Sequence, residues 1–128
     1  YLKWHRKSGY LYLIATLFGA IAGIGLSLTS QVNLTYKLGL FFLAIAWLLT
    51  SGMAFLCILK RKIEQHREWM VRSYVVTFAF VFFRLFADIL YHYEVAERAD
   101  INALMSWACW AVPLLFTEVI LQYKKTFN

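Results

Sequence analysis

Two histidines, His5 and His66, are the residues with the clearest capacity for chemistry in this sequence. Each precedes a long apolar stretch, the first beginning near Gly9 and the other near Met70. Imidazoles can pass protons, and two of them on neighbouring helices can ligate one haem iron. The sequence therefore raises haem b as a cofactor, with His5 and His66 as its metal ligands. The plainer interpretation, in which both histidines anchor helices among lipid headgroups, stays open.

Arg72 and Glu118 complete the predicted cofactor-binding set. Arg72 lies six residues after His66, and a guanidinium can pair with a haem propionate. Glu118 lies near the same end of the last apolar stretch, where a carboxylate could orient a histidine ligand. Glu118 could instead pair with Arg72 or extend to water, and these alternatives remain open.

A stripe of polar residues runs along the third apolar stretch. At about 100° per residue its members fall within a sector roughly 60° wide. Polar groups within a membrane usually face a bundle interior, a partner or a cavity, so we expect this stripe between helices. Arg84 and Asp88 are four residues apart and can neutralise each other, either as a structural pair or on a proton path. The polar seam is defined as His66, Ser73, Thr77, Arg84, Asp88 and Tyr91.

The composition indicates that these residues lie in a membrane. The chain has 128 residues, of which 62% are hydrophobic and 16% are charged, and its mean hydropathy is +0.60. Water-soluble domains carry about 25% charged residues. Four apolar stretches, 9–28, 38–59, 70–91 and 101–122, each have the roughly 20 residues that span a bilayer. We predict a single all-α domain of four antiparallel transmembrane helices that contacts the lipid bilayer.

The basic residues predict the orientation of these helices. Ten Lys and Arg residues flank the N-terminus, the second connection and the C-terminus, whereas only Lys37 and Arg98 lie at the other side. Cytoplasmic loops are rich in Lys and Arg, so both termini should be cytoplasmic. The positive charge lies at helix ends, so we expect no nucleic-acid partner. No serine, histidine and aspartate set has plausible geometry, so no catalytic residue is predicted.

The first stretch carries a face of small residues. Gly19 and Gly23 are four residues apart, with Ala15 one turn earlier. This spacing lets two membrane helices approach closely, and such a face can also admit a porphyrin edge. We expect it to pack against a neighbouring helix or a partner.

Several local patterns resemble a bacterial family of multi-pass membrane proteins, domain-of-unknown-function family 2306 (DUF2306). The resemblance covers essentially all four stretches. Members carry further hydrophobic helices before this segment, which implies that upstream helices precede Tyr1. It also implies a bacterial inner-membrane location and a role for His5, His66, Arg72, Arg84 and Glu118, without naming a reaction. The matching patterns are His5-x-x-x-Gly9-Tyr10, His66-x-x-Trp69-Met70-x-Arg72-Ser73-Tyr74, Thr77-Phe78-Ala79, Arg84-Leu85 and Trp107-x-x-Trp110 with Glu118.

Three functions follow from these observations. The first is an accessory or structural membrane subunit whose polar seam docks other membrane helices. The second is a haem b or quinone-linked electron carrier that uses His5 and His66. The third is a small proton-coupled transporter that uses Arg84, Asp88 and Glu118. A low density of catalytic groups favours the first, and an enzyme is the less expected outcome.

Overall fold

The computed structural model describes all 128 residues and contains only helices. The all-α prediction is therefore confirmed. Each helix extends beyond its predicted apolar span into flanking polar residues. The backbone hydrogen bonds continue there because Lys, Arg, Glu and Gln are good helix formers. The four helices are α1 (Leu2–Thr29), α2 (Leu34–Leu59), α3 (Ile63–His92) and α4 (Arg98–Phe127).

Short connections make successive helices antiparallel. Asn33 caps α2 by accepting a hydrogen bond from the Tyr36 backbone N–H at 3.0 Å. Arg61 and Glu94 adopt positive φ angles of 56° and 48° in the other two turns, which reverse the chain within a few residues. The N-terminus, the α2–α3 turn and the C-terminus therefore share one end of the bundle, called here the basic end.

Helix α2 is the centre of the bundle. It packs against α1, α3 and α4, and α3 also packs against α4. Helix α1 does not approach the backbone of α3 or of α4. One flank of α1 is consequently uncovered, and the space between α1 and α3 is bridged by side chains alone.

Two glycines allow the closest helix contacts. A Cβ atom on Gly19 of α1 would lie 2.9 Å from the Trp47 ring of α2. A Cβ atom on Gly39 of α2 would lie 2.9 Å from the backbone oxygen of Ser106 in α4. Cβ atoms do not approach heavy atoms this closely, so both contacts require glycine. The prediction that the Gly19 face packs against a neighbouring helix is confirmed, and that neighbour is α2.

The buried core is small and lies between α2, α3 and α4. Leu43, Val76 and Ile101 are among its members, while most large apolar side chains point outward. All four helices are long and apolar enough to cross a membrane. The outward apolar surface is what lipid would cover.

Candidate functional site

A cleft opens at the basic end between α1, α2 and α3. Its volume is about 360 Å³, within the range of small-molecule sites. The lining is mostly apolar and aromatic and contains no carboxylate. We call this space the basic-end cleft, and its polar or aromatic lining includes His5, Arg6, Tyr12, His66 and Tyr74.

The cleft exists because α1 lies away from α3 and because Gly9 has no side chain. Gly9 lines the cleft, and a Cβ atom placed there would meet nothing within 4 Å. A flat ligand could therefore approach the α1 backbone directly. Phe55 of α2 and Met70 of α3 supply apolar walls.

The orientation of His66 is fixed by a backbone hydrogen bond. Its Nδ1 lies 2.7 Å from the carbonyl oxygen of Ala54 in α2. A carbonyl oxygen only accepts, so Nδ1 carries the proton and donates it. In the neutral ring the Nε2 lone pair is consequently free. Histidines that ligate metals are commonly held in this way.

His5 lies on the other wall of the same cleft, in the second turn of α1. It is exposed, and no side-chain hydrogen bond holds its ring. The structure therefore places both His5 and His66 on the lining of one cleft but orients only His66. Arg6 places a further cationic group at this cleft.

A hydrogen-bonded cluster around Tyr12, which itself lines the cleft, ties α1 to α3. The Thr77 hydroxyl donates its single proton to the Ser73 carbonyl at 2.8 Å, so it accepts from Trp47 Nε1 and from Tyr12, each at 2.9 Å. The Tyr12 hydroxyl therefore donates its only proton to Thr77. The Ser73 hydroxyl therefore donates to Tyr12 at 2.6 Å. This Tyr12 cluster is the only polar link across the gap between α1 and α3.

From the sequence we predicted no role for Tyr12 or Trp47. The position of Tyr12, two turns after His5 on the same helix face, is the feature that could have indicated a place for it near His5. The carbonyl of Ala54 could not have been found, because nothing in an alanine side chain indicates that its backbone oxygen meets a histidine.

Arg72 and Glu118 lie outside the cleft. The Arg72 guanidinium makes two contacts with the Glu118 carboxylate, at 2.7 and 2.8 Å, between α3 and α4. Its other nitrogen lies 3.7 Å from Glu68, which Lys125 also contacts at 2.7 Å. Trp69 packs 4.7 Å from the guanidinium. The structure thus uses Arg72 in a helix-joining ion pair and does not place it beside His5 or His66.

The polar seam lies between helices at Ser73, Thr77 and Tyr91, the last of which donates a hydrogen bond to α4, but not at Arg84 and Asp88. Ser73 and Thr77 belong to the Tyr12 cluster, whereas the Arg84 and Asp88 side chains are 84% and 60% exposed. Their contact, from Nε to Oδ2, is 3.7 Å. This corrects the expectation that the seam lies between helices along its full length. The physical reason is that α1 stays away from α3, so no helix of this chain covers Arg84 and Asp88.

A model of the family described as predicted membrane protein DUF2306 matches residues 1–121. The chain belongs to the DUF2306 family. No curated protein and no solved structure matches it.

Family membership and four membrane-length apolar helices make the chain a multi-pass membrane protein. The DUF2306 description names no activity, so the chemistry of the chain is inferred from the residues that line the cleft. The cleft offers a free Nε2 lone pair, a second imidazole, a cation and a mostly apolar wall. That combination suits a flat, largely apolar ligand with acidic or metal-containing polar groups.

Proposed function

We propose that this DUF2306 protein is a membrane electron carrier that binds haem b in the basic-end cleft. The observation that carries the proposal is the hydrogen bond from His66 Nδ1 to the Ala54 carbonyl, which leaves Nε2 unpaired on a side chain that lines the cleft. His66 would be the fixed ligand and His5 the mobile one. Haem, when bound, supplies one-electron redox chemistry.

The surroundings of His66 fit a porphyrin better than a small hydrated ion. Phe55, Met70 and Tyr74 supply apolar and aromatic contact, and Gly9 leaves space for a ring edge. Arg6 is the cation available to a propionate, because Arg72 is engaged by Glu118. The absence of a carboxylate in the lining also suits an anionic ligand edge.

The visible absorption spectrum of the purified protein, before and after dithionite, tests this proposal. We expect a Soret band and an α band that sharpens on reduction. His66→Ala should remove both bands, because it deletes the oriented ligand. His92→Ala is the matched control, since His92 lies at the opposite end of α3 and should leave both bands unchanged.

A flat spectrum from cells supplied with haem precursor would contradict the haem proposal. A redox-dependent ultraviolet band from an extractable quinone would instead assign the cleft to a quinone, whose reduced quinol form donates a hydroxyl proton to His66 Nε2. Bands retained in His66→Ala would place the haem elsewhere.

We also propose that the basic end faces the cytoplasm of a bacterial inner membrane. The support is the concentration of Lys and Arg at that end. A reporter fused after Asn128 should behave as cytoplasmic, and one inserted at Val95, in the α3–α4 turn, should not. The reverse pattern would overturn the orientation.

A second candidate function is that of an accessory membrane subunit. The observation that favours it is the exposed Arg84–Asp88 pair within a membrane-spanning helix, because exposed charges in hydrocarbon are costly unless a partner covers them. The third function, proton-coupled transport, finds less support. Glu118 of α4 is paired with Arg72 of α3, whereas Arg84 lies on an uncovered face of α3, so the residues proposed for transport are not brought together.

A further inference from the structure

The outer half of α3 carries a charged pair that this chain does not satisfy. Arg84 and Asp88 approach each other only to 3.7 Å, and neither side chain makes a hydrogen bond. A guanidinium has five N–H donors, so most of the hydrogen-bonding capacity of Arg84 is unused. An Arg that lacks hydrogen-bond partners inside a membrane span is costly to insert.

The Arg84 side chain cannot easily reach the nearer membrane surface. It lies eight residues before the end of α3 at His92, which is about 12 Å of helix. Side chains on a helix tilt toward its N-terminus, so Arg84 tilts away from that end. Extending to headgroups would require the side chain to turn back along the helix. A neighbouring protein is the better source of hydrogen bonds.

A stripe of exposed residues beside Arg84 has the spacing of a helix-pairing face. Phe78, Val81, Leu85 and Asp88 recur at intervals of three, four and three residues, and each is exposed. This is the heptad spacing through which two helices pack at a small crossing angle. Arg84 flanks the Leu85 position, where interhelical ion pairs form in coiled coils. We call these five residues the α3 stripe.

We propose that two copies of this chain pair through the α3 stripe, about a twofold axis along the membrane normal. Arg84 of each copy then lies against Asp88 of the other. The charges argue for a second copy as the occupant. Each chain brings one cation and one carboxylate to the stripe at nearly the same depth, so twofold pairing yields two reciprocal ion pairs without any other protein. The proposal does not depend on a ligand in the basic-end cleft.

Disulfide crosslinking in native membranes tests the pairing. Leu85→Cys places a thiol at the centre of the α3 stripe. Leu104→Cys places a thiol at a similar depth on α4, and Leu104 is exposed like Leu85. The natural thiols Cys57 and Cys109 are buried. We expect a crosslinked dimer for Leu85→Cys and at least tenfold less for Leu104→Cys. Equal crosslinking at both positions, or none at Leu85→Cys, would overturn the proposal.

Charge exchange separates specific pairing from chance collision. On the Leu85→Cys background, Arg84→Asp sets like charges against one another and should reduce the crosslinked fraction at least tenfold. Adding Asp88→Arg should restore it, because the reciprocal pairs form again with signs exchanged. A crosslinked fraction that ignores both changes would contradict the ion-pair geometry. Crosslinking of Leu85→Cys to a different membrane protein would reject the second copy while leaving the accessory-subunit function intact.

Discussion

Tyr12 is the residue that holds α1 to α3, because the two backbones do not meet. Its hydroxyl accepts from Ser73 and donates to Thr77, so a single oxygen joins two helices, and the Tyr12 side chain also lines the cleft. This hydroxyl acts as both hydrogen-bond donor and acceptor. It is difficult to replace inside a membrane, because no water is present there to take over its hydrogen bonds.

Tyr12→Phe should therefore loosen α1. Removal of the hydroxyl leaves Ser73 without its acceptor and Thr77 without one donor, at a cost of about 1–3 kcal/mol. We expect a melting temperature in detergent that is lower by several degrees, and weaker ligand binding in the cleft. Tyr74→Phe is the matched control, because Tyr74 contacts the Tyr12 ring but its hydroxyl makes no hydrogen bond. Equal melting temperatures for the two variants would contradict this role for Tyr12.

Residue types allowed His5, His66, Ser73 and Thr77 to be selected from the sequence, since polar side chains at helical spacing in an apolar stretch are conspicuous. The grouping into two sites could not be predicted, and Arg72 shows the reason. It lies six residues after His66, so the helix turns it toward α4 and away from the cleft. Which helix covers which face depends on packing, and short turns fix only the order of the helices.

At the scale of elements, the contact between α1 and α2 depends on the absence of a side chain at Gly19. The Trp47 ring fills the space where a Cβ atom would lie, at 2.9 Å. That ring is not free to move, because its Nε1 donates to Thr77 at 2.9 Å. The small-residue face of α1 thus supports the Tyr12 cluster.

Gly19→Ala should destabilise the bundle. The added methyl group forces Trp47 to shift and lengthens its hydrogen bond to Thr77, at a cost of about 1–3 kcal/mol. Gly25→Ala provides the control on the same helix, since its Cβ atom would meet nothing within 4 Å. It should be neutral or stabilising by up to about 1 kcal/mol. Thermal unfolding in detergent compares them, and a Gly19→Ala protein as stable as Gly25→Ala would show that α1 does not pack on Trp47 as described.

The spans themselves were predictable, because each apolar stretch must cross about 30 Å of hydrocarbon. The extension of α3 back to Ile63 was not, yet it decides the site: it places His66 in the first helical turns, opposite Ala54 of α2. Apolar periodicity ends where the hydrocarbon ends and says little about how far a helix continues beyond it.

For the whole molecule, the open flank of α1 is the defining feature. A bundle in which α2 touches every other helix while α1 and α3 stay apart leaves a cleft at the basic end and an uncovered stripe on α3. We propose that the basic-end cleft binds haem and that the α3 stripe contacts a second copy of the chain. In both places the proposed partner covers polar groups that the four helices leave uncovered.

A haem titration of the reconstituted protein with its cleft altered shows whether the basic-end cleft binds the ligand. Gly9→Leu adds a side chain at the lining of the cleft, where a Cβ atom would meet nothing within 4 Å, and Gly25→Leu adds the same side chain outside the cleft at an equally open position. We predict a dissociation constant at least tenfold higher for Gly9→Leu than for the unmodified protein, and no change for Gly25→Leu. Equal affinity in all three proteins would contradict the claim.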